Sequence, residues 1–91
     1  MIEASICSGK AGFYYVYILR SESDQNRFYV GSTRNLKTRL KEHNSGKNPH
    51  TAKAKPWKIK TAIAFDNRQK ALDFERYLKT ASGRALAKKR L

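Results

Sequence analysis

The fold is decided by the stretch YYVYILRSESDQNRFYVG, which spans residues 14–31. Its first part, residues 14–19, is a run of aromatic and aliphatic residues without polar alternation, which is typical of a central strand covered on both faces. Residues 21–26 are polar turn material, and residues 27–31 again favour a strand. The stretch therefore predicts a β-hairpin whose first strand lies inside the sheet.

A helix is predicted directly after the hairpin, over residues 35–45. Asn35 is a suitable N-cap, and Gly46 stands where a C-terminal cap is expected. Within this helix Arg39 and His43 are four residues apart, so they lie on the same side of it.

A basic loop and a third strand are predicted next. Residues 44–56 contain glycine, two prolines and several lysines but little apolar content, so we expect a mobile loop. Residues 57–65 alternate in the manner of a strand. Its odd-numbered residues from Ile59 to Phe65 are expected on one face, with lysines and alanines on the other.

Two helices complete the predicted fold. Asp66, with Gln69 three residues later, resembles a capping box for a helix over residues 67–80. Ser82 is expected to cap a short basic helix at the C-terminus. The element order β-β-α-β-α-α gives an α/β (α+β) fold, a small three-stranded mixed or antiparallel sheet flanked by helices.

Length and charge narrow the range of functions. The chain has 91 residues, the size of one small domain, and its 20 Lys and Arg against 7 Asp and Glu give a formal net charge of +13. Such an excess predicts a polyanionic partner, of which nucleic acid is the commonest. A solvated surface is the alternative, but from Arg27 to Lys60 the one acid is Glu42. Membrane binding would need a long apolar helix face, and the pattern has none.

Residues 1–12 form a weakly patterned leader ahead of a single domain over residues 13–91. The leader is too short and too little apolar for a signal peptide, and no other segment could span a bilayer. We therefore expect a cytoplasmic protein. The single Cys7 excludes an internal disulfide and argues against a cysteine-based zinc site.

Two tyrosines on the predicted hairpin are the first candidates for chemistry. Tyr17 could be a general base if nearby cations or metal-bound water lower its pKa from the usual value of about 10, and this basic chain supplies such cations. The alternative is a core aromatic. Three tyrosines within residues 14–17 are unusual for a plain core, because each buried phenol needs a hydrogen-bond partner. Tyr29 recurs on the paired strand, where it could face Tyr17.

Three residues complete the group around the hairpin. Arg39 is a candidate clamp for the scissile phosphate because its planar guanidinium matches two phosphate oxygens, although many helix arginines are merely solvated. His43 could transfer a proton, donate to a phosphate or be structural. Gly31 is either a turn residue at the end of its strand or a place where a phosphate approaches the backbone.

Glu75 is the fifth candidate for catalysis, after Tyr17, Tyr29, Arg39 and His43. It lies at the margin of an apolar helix stripe that includes Phe74 and Leu78, where a carboxylate costs stability unless something pairs with it. One pairing is a divalent cation held by one carboxylate and substrate phosphate, which implies weak, water-rich binding. The other is an ion pair with Lys79, four residues on.

These residues occur in a recognisable order. The motifs Tyr15-Val16-Tyr17 and Tyr29-Val30-Gly31, followed by Arg39, His43 and Glu75, resemble the GIY-YIG nuclease domain family. The resemblance extends over roughly residues 13–91, nearly the whole chain, and is closest to the short stand-alone bacterial members. It implies a divalent-metal-dependent endonuclease that hydrolyses DNA, with DNA repair as a usual process.

The resemblance also implies a role for each residue. Tyr17 matches the proposed general base, and Tyr29 matches a residue that positions substrate and water. Arg39 would bind the phosphate, and Glu75 would ligate one Mg²⁺ or Mn²⁺ ion. His43 would have a supporting role.

Nucleic-acid contacts are expected from one basic surface that follows the second strand. Its predicted members are Gly31, Arg34, Lys37, Lys41, Lys53, Lys55 and Lys58. DNA is the first choice of partner and RNA the alternative. A non-catalytic module that binds nucleic acid by its charge and exposed aromatics, or an RNA-processing factor, would share this composition.

Overall fold

The computed structural model describes residues 13–91, so the predicted leader with Cys7 lies outside the described residues. None of the helices within the described range is long and apolar enough to cross a membrane. The elements are β1 (Tyr14–Ser21), β2 (Phe28–Thr33), α1 (Leu36–Ser45), α2 (Pro49–Ala52), β3 (Trp57–Phe65), α3 (Arg68–Leu78) and α4 (Ala81–Arg90).

The strands form one antiparallel sheet in the order β2-β1-β3, which confirms the predicted fold class. As predicted, β1 is central, and every residue from Tyr15 to Leu19 is buried. Helices α1 and α2 cover one face of the sheet, here called the α1 face, whereas α3 and α4 cover the opposite, α3 face.

Two hydrophobic cores follow from the alternation of side chains along β1. The buried residues of the core on the α1 face are Tyr15, Tyr17, Leu19, Leu36, Ala54, Trp57 and Ala62. Those on the α3 face are Val16, Ile18, Ala71 and Leu78. The core on the α1 face therefore contains two phenols, whereas the other buried core is aliphatic.

The hairpin register decides which side chains meet. Tyr17 pairs with Gly31, and Leu19 pairs with Tyr29. Tyr29 therefore lies diagonally from Tyr17 on the same face rather than opposite it. Because β2 continues to Thr33, Gly31 lies inside the strand, and the interpretation of Gly31 as a turn residue at the strand end is wrong.

A register shift interrupts the predicted alternation of β3. Lys60 has no partner residue on β1, as expected for the extra residue of a β-bulge. Ile59 consequently packs into the core on the α1 face, whereas Phe65 packs into the core on the α3 face. The prediction that these two side chains share a face was wrong, because periodicity alone does not reveal a bulge.

Helix α1 begins and ends where the sequence predicts. The side-chain oxygen of Asn35 accepts a hydrogen bond from the backbone N–H of Thr38. Gly46 ends the helix in the left-handed conformation, with φ of 84°. These two caps fix the position at which α1 leaves the hairpin, and therefore where Arg39 and His43 are presented.

Two other predicted caps are wrong by one or two residues. Asn67 rather than Asp66 caps α3, and Thr80 rather than Ser82 caps α4. In both helices the capping side chain accepts the backbone N–H three residues on. Neighbouring Asp, Asn, Ser and Thr residues can all cap a helix, so the direction in which the chain enters the helix decides between them.

The predicted loop over residues 44–56 contains the single turn α2. Thr51 and Ala54 are buried within this segment. The indole N–H of Trp57 donates to the carbonyl of Thr51 at 2.8 Å. The segment is therefore anchored to the α1 face, which the low apolar content of its sequence did not indicate.

Candidate active site

A chain of hydrogen bonds runs through the core on the α1 face. The Tyr17 hydroxyl lies 3.0 Å from Nε2 of His43, and Nδ1 of His43 lies 2.9 Å from Oγ1 of Thr51. The Thr51 hydroxyl in turn donates to the carbonyl of Asn48 at 3.4 Å. All three side chains are buried, and His43 is only 1% exposed.

The direction of this chain follows from the hydrogens available. We assign the single hydroxyl hydrogen of Thr51 to the carbonyl of Asn48, and in this assignment the Thr51 oxygen accepts from Nδ1–H of His43. Nε2 then carries a lone pair and accepts the Tyr17 hydroxyl hydrogen. Thr51 therefore sets the tautomer that lets His43 act as a proton acceptor toward Tyr17.

Sequence reasoning did not find Thr51. The residue lies in a segment without helical or strand periodicity, and its contact with His43 spans eight residues. The Asn48-Pro49 pair, an N-cap followed by proline at the first helical position, was the signal for a helical turn there.

Gly31 leaves room for the Tyr17 phenol. A Cβ atom built on Gly31 would lie 2.6 Å from the Tyr17 hydroxyl oxygen and 2.8 Å from Cζ of the same ring. Gly46 is the one glycine with a positive φ among residues 13–91. The backbone conformation at Gly31 therefore does not require glycine there. The lack of a side chain at Gly31 is what allows the hydroxyl to reach His43.

Tyr29 completes an aromatic cluster at the edge of the sheet. Its ring centroid lies 4.7 Å from that of His43 and 6.3 Å from that of Tyr17. Unlike Tyr17, Tyr29 is only partly buried. The structure therefore brings both predicted tyrosines and the predicted histidine together, with Tyr29 on the solvent side.

Arg39 stands at the mouth of this cluster. Its side chain is 44% exposed, and its Nη1 lies 3.1 Å from Oε1 of Glu42. Interaction with the Tyr17 hydroxyl, and then with Glu42, raises the pKa of Arg39, so it is a permanent cation. Arg39, His43 and Lys47 line a surface cleft at this point.

The electrostatics of Tyr17 differ from the sequence-based expectation. Burial raises the pKa of Tyr17 to about 12, although interaction with Arg39 lowers it. The expectation that cations would produce a lowered pKa is therefore wrong for the free site, because removal of water from the phenolate outweighs the nearby charge. The pKa of His43 is lowered, first by burial and then by the charge of Arg39. Both groups are neutral at pH 7.

Glu75 reaches the site from the α3 face. Its Oε1 accepts the hydroxyl hydrogen of Ser32 at 2.7 Å, and its Oε2 pairs with Nζ of Lys79 at 3.1 Å. Ser32 follows Gly31 in the edge strand, so its side chain points away from the Tyr17 side. The negative charge of Glu75 is nonetheless close enough to raise the pKa of Tyr17. The site thus straddles β2.

The donor set around Glu75 fits a weakly held divalent ion. Within residues 13–91 no three His, Cys, Asp or Glu side chains are gathered into a metal site. Magnesium is commonly held by one or two carboxylates together with waters and substrate phosphates. Glu75 supplies one carboxylate, and the Lys79 side chain that occupies its Oε2 is 55% exposed and free to move aside. The ion pair with Lys79, which the sequence analysis gave as the alternative to a metal ion at Glu75, is present in the free protein.

The predicted nucleic-acid-binding residues are divided between the two faces of the sheet. The basic ones are all exposed, and four belong to α1 or to the segment after α2: Lys37, Lys41, Lys53 and Lys55. Arg34 instead stacks on Tyr14, which packs against the core of the α3 face. Lys58 pairs with Arg20 on that same face. Basic charge therefore forms more than the one surface that the sequence predicted.

Comparison with known proteins identifies the same unit. A family model described as GIY-YIG catalytic domain matches residues 13–90. A structure-specific endonuclease subunit SLX1 homolog from Drosophila persimilis is 40% identical over 75 residues, which is 72% of this chain and 26% of that protein. A structure-specific endonuclease subunit SLX1 from Candida dubliniensis is 40% identical over 76 residues, 76% of this chain and 27% of that protein.

A third relative, the structure-specific endonuclease subunit SLX1 from Debaryomyces hansenii, is 38% identical over 73 residues, 72% of this chain and 21% of that protein. These relatives come from a fly and two yeasts, whereas the sequence resemblance was to bacterial members. The chain spans about a quarter of the length of these curated relatives.

Proposed function

This chain belongs to the GIY-YIG family, and from that premise we propose that it is an endonuclease that hydrolyses DNA phosphodiester bonds with a divalent metal ion. The observation that carries the proposal is the buried chain of hydrogen bonds from Tyr17 through His43 to Thr51, in which the Tyr17 hydroxyl also interacts with the exposed guanidinium of Arg39. A proton acceptor and a phosphate-binding cation thus lie side by side. The names of the relatives support a nuclease and describe much longer proteins.

Arg39 is proposed to bind the scissile phosphate. Its guanidinium can donate two parallel hydrogen bonds to phosphate oxygens. In the free protein it pairs with Glu42, but both side chains are largely exposed, and such surface pairs contribute little free energy. A phosphate can therefore replace Glu42 at small cost.

Tyr17 and His43 are proposed to act together as the base. Because the pKa of free Tyr17 is about 12, a preformed tyrosinate is rare at neutral pH. The Tyr17 oxygen would take a proton from the attacking water while its own proton passes to Nε2 of His43. Thr51 holds the imidazole in the tautomer that this transfer requires. Tyr29, at the rim, would position the water and substrate.

Glu75 is proposed to hold the metal ion, Mg²⁺ or Mn²⁺. When bound there, such an ion would offset charge on the phosphate and stabilise the leaving oxygen. The contribution of this chain is to aim the carboxylate: Ser32 fixes Oε1, while Lys79 neutralises Oε2 until the ion arrives. A cytoplasmic location and a role in DNA repair stay predictions.

A cleavage assay tests this function. Single-stranded, duplex and branched DNA, with RNA alongside, would be incubated with Mg²⁺, Mn²⁺ or chelator. We expect metal-dependent nicking that Tyr17→Phe and Glu75→Ala each reduce by about 10²–10⁴-fold. The matched controls are Tyr77→Phe and Asp73→Ala, which alter an exposed phenol and an exposed carboxylate of α3.

Two results would overturn the proposal. If the wild type cuts no substrate with either metal but binds DNA in a salt-sensitive manner, the chain is a basic binding module. If the control variants lose as much activity as Tyr17→Phe, cleavage does not arise at this site.

A further inference from the structure

A second groove lies on the α3 face, outside the Tyr17 cluster. It runs between the turn end of the hairpin and helices α3 and α4, with a volume of about 840 Å³. Its apolar floor is formed by Ile18, Val30, Leu78 and Ala87. The volume is within the range of sites that bind sizeable ligands.

The walls of this groove are cationic. Five basic side chains line it, and no aspartate or glutamate does: Arg20, Lys60, Lys79, Arg84 and Lys88. Among the described residues, Lys79 is the one member of this set with an acidic partner, Glu75. Four cations without an ion pair around a concave surface are complementary to a polyanion.

An exposed aromatic ring distinguishes this surface from a plain basic patch. Phe28, in the edge strand β2, also lines the groove and is 50% exposed. Arg20 lies 5.7 Å and Lys60 5.8 Å from the centre of its ring. The β-bulge in β3 is what leaves Lys60 unpaired beside this ring. An exposed aromatic ring with cations over it is a combination that can stack an unpaired base and contact the adjoining phosphates.

The groove is continuous with the proposed active site through two residues. Tyr29 lines the groove, and its ring lies 4.7 Å from that of His43. Lys79 lines it as well and pairs with Glu75. The Tyr29 ring itself lies on the α1 face, so a nucleic-acid strand in the groove would pass the carboxylate of Glu75 and reach the tyrosine rim around the edge strand β2.

We propose that this groove binds a single-stranded nucleic-acid segment that continues from the phosphate being cut. Base stacking on Phe28 requires unpaired bases, so the groove would take the unpaired arm of a branched substrate rather than its duplex. This assignment rests on the proposed function, since the arm belongs to the substrate of that site. It accounts for the basic residues of the α3 face that lie away from Tyr17.

Binding measurements test the groove independently of cleavage. Fluorescence polarisation would compare a labelled single-stranded oligonucleotide with a blunt duplex, in chelator, for wild type, Phe28→Ala and Phe28→Trp. We expect Phe28→Ala to weaken single-strand binding about 10-fold and duplex binding less than about 2-fold, while Phe28→Trp restores single-strand binding. Because Phe28 is exposed, the substitution should leave the melting temperature unchanged. Tyr77→Ala is the matched control, an exposed aromatic outside the groove lining.

Each outcome separates this inference from the proposed function. Unchanged single-strand affinity in Phe28→Ala, with cleavage intact in the wild type, would overturn the groove and leave the nuclease standing. Loss of single-strand binding in Phe28→Ala without cleavage by the wild type would support the groove and overturn the nuclease. A poly-glutamate peptide of equal charge that binds as tightly, and is weakened as much by Phe28→Ala, would overturn nucleic acid as the occupant.

Discussion

The two faces of the sheet treat polar groups in opposite ways. On the α1 face, Tyr17, His43 and Thr51 are buried and hydrogen-bonded to one another. On the α3 face, the half-buried side chains of Arg20 and Lys60 lie beside the exposed ring of Phe28. Buried groups hold a proton path in one fixed arrangement, whereas surface cations attract a polyanion without fixing its position. In the two proposals made above, hydrolysis thus depends on the buried network of the α1 face, and binding of the nucleic acid depends on the groove of the α3 face.

After Tyr17→Phe and Glu75→Ala, the largest expected effect concerns Arg39, at the open end of the buried network. Arg39→Ala should lower the single-turnover cleavage rate about 10²–10³-fold, because the phosphate loses its charged donors in the transition state. The melting temperature should barely change, since the Glu42 pair is exposed. Arg76→Ala is the control, an exposed arginine paired three residues away in α3. Equal losses in both variants would contradict a specific role for Arg39.

Thr51→Val tests whether the buried hydrogen bond between Thr51 and His43 contributes to cleavage as well as to stability. The substitution keeps the shape but removes the acceptor of His43 Nδ1–H, so we expect the free energy of unfolding to fall by about 1–3 kcal/mol. The cleavage rate should fall about 10-fold or more because the imidazole loses its orientation. Urea unfolding and single-turnover kinetics measure the two effects.

Thr51→Ser should recover both properties, since it restores the hydroxyl. A Thr51→Val variant that is destabilised but fully active would show that the network is structural only.

The burial of His43 should make the free energy of unfolding depend on pH. The pKa of folded His43 is lowered below its usual 6.5, so below that pH the unfolded chain binds a proton that the folded chain does not. The free energy of unfolding should therefore decrease as pH falls below about 6.5, by at most about 1.4 kcal/mol per pH unit. Cleavage should decline only at lower pH, around the lowered pKa of folded His43, because the imidazole stays neutral above that pKa and protonated His43 accepts no proton.

Urea unfolding from pH 7 to pH 5 measures this decline. His50→Gln, which removes the other, exposed histidine, should leave it unchanged, whereas His43→Gln should make it shallower. A decline that persists in His43→Gln would place the responsible group elsewhere.

The smallest effect is expected at Lys79, which lines the groove and also pairs with Glu75 of the proposed active site. Lys79→Ala frees Oε2 of Glu75, so the Mg²⁺ concentration for half-maximal cleavage should fall up to about 5-fold. Stability should change by less than about 1 kcal/mol, because the bridge is mostly exposed on the lysine side. An increase in the Mg²⁺ requirement would contradict Glu75 as the ligand.

The sequence predicted correctly those elements that are determined by interactions between residues close together in the chain. The apolar run of β1 and the caps Asn35 and Gly46 placed the hairpin and α1 correctly, because each acts on its own few residues. The order of Tyr17, Arg39 and His43 placed the site on these elements.

What the sequence did not reveal depends on long-range packing. The contact of Thr51 with His43 requires that the segment after α1 fold back onto the sheet. The bulge at Lys60 depends on the pairing of β1 with β3. The raised pKa of Tyr17 depends on how completely the helices exclude water from its hydroxyl, which no spacing encodes.

The contact between Gly31 and the Tyr17 ring carries an evolutionary consequence. Because a methyl group at Gly31 would overlap the hydroxyl of Tyr17, the first motif's tyrosine forbids any side chain at the second motif's glycine. The constraint operates only while the phenol is present. A descendant of this domain that exchanged Tyr17 for a small residue would be released from the constraint at Gly31. A bulkier residue in place of the glycine would then mark a lineage in which the contact between Gly31 and the Tyr17 ring has been lost.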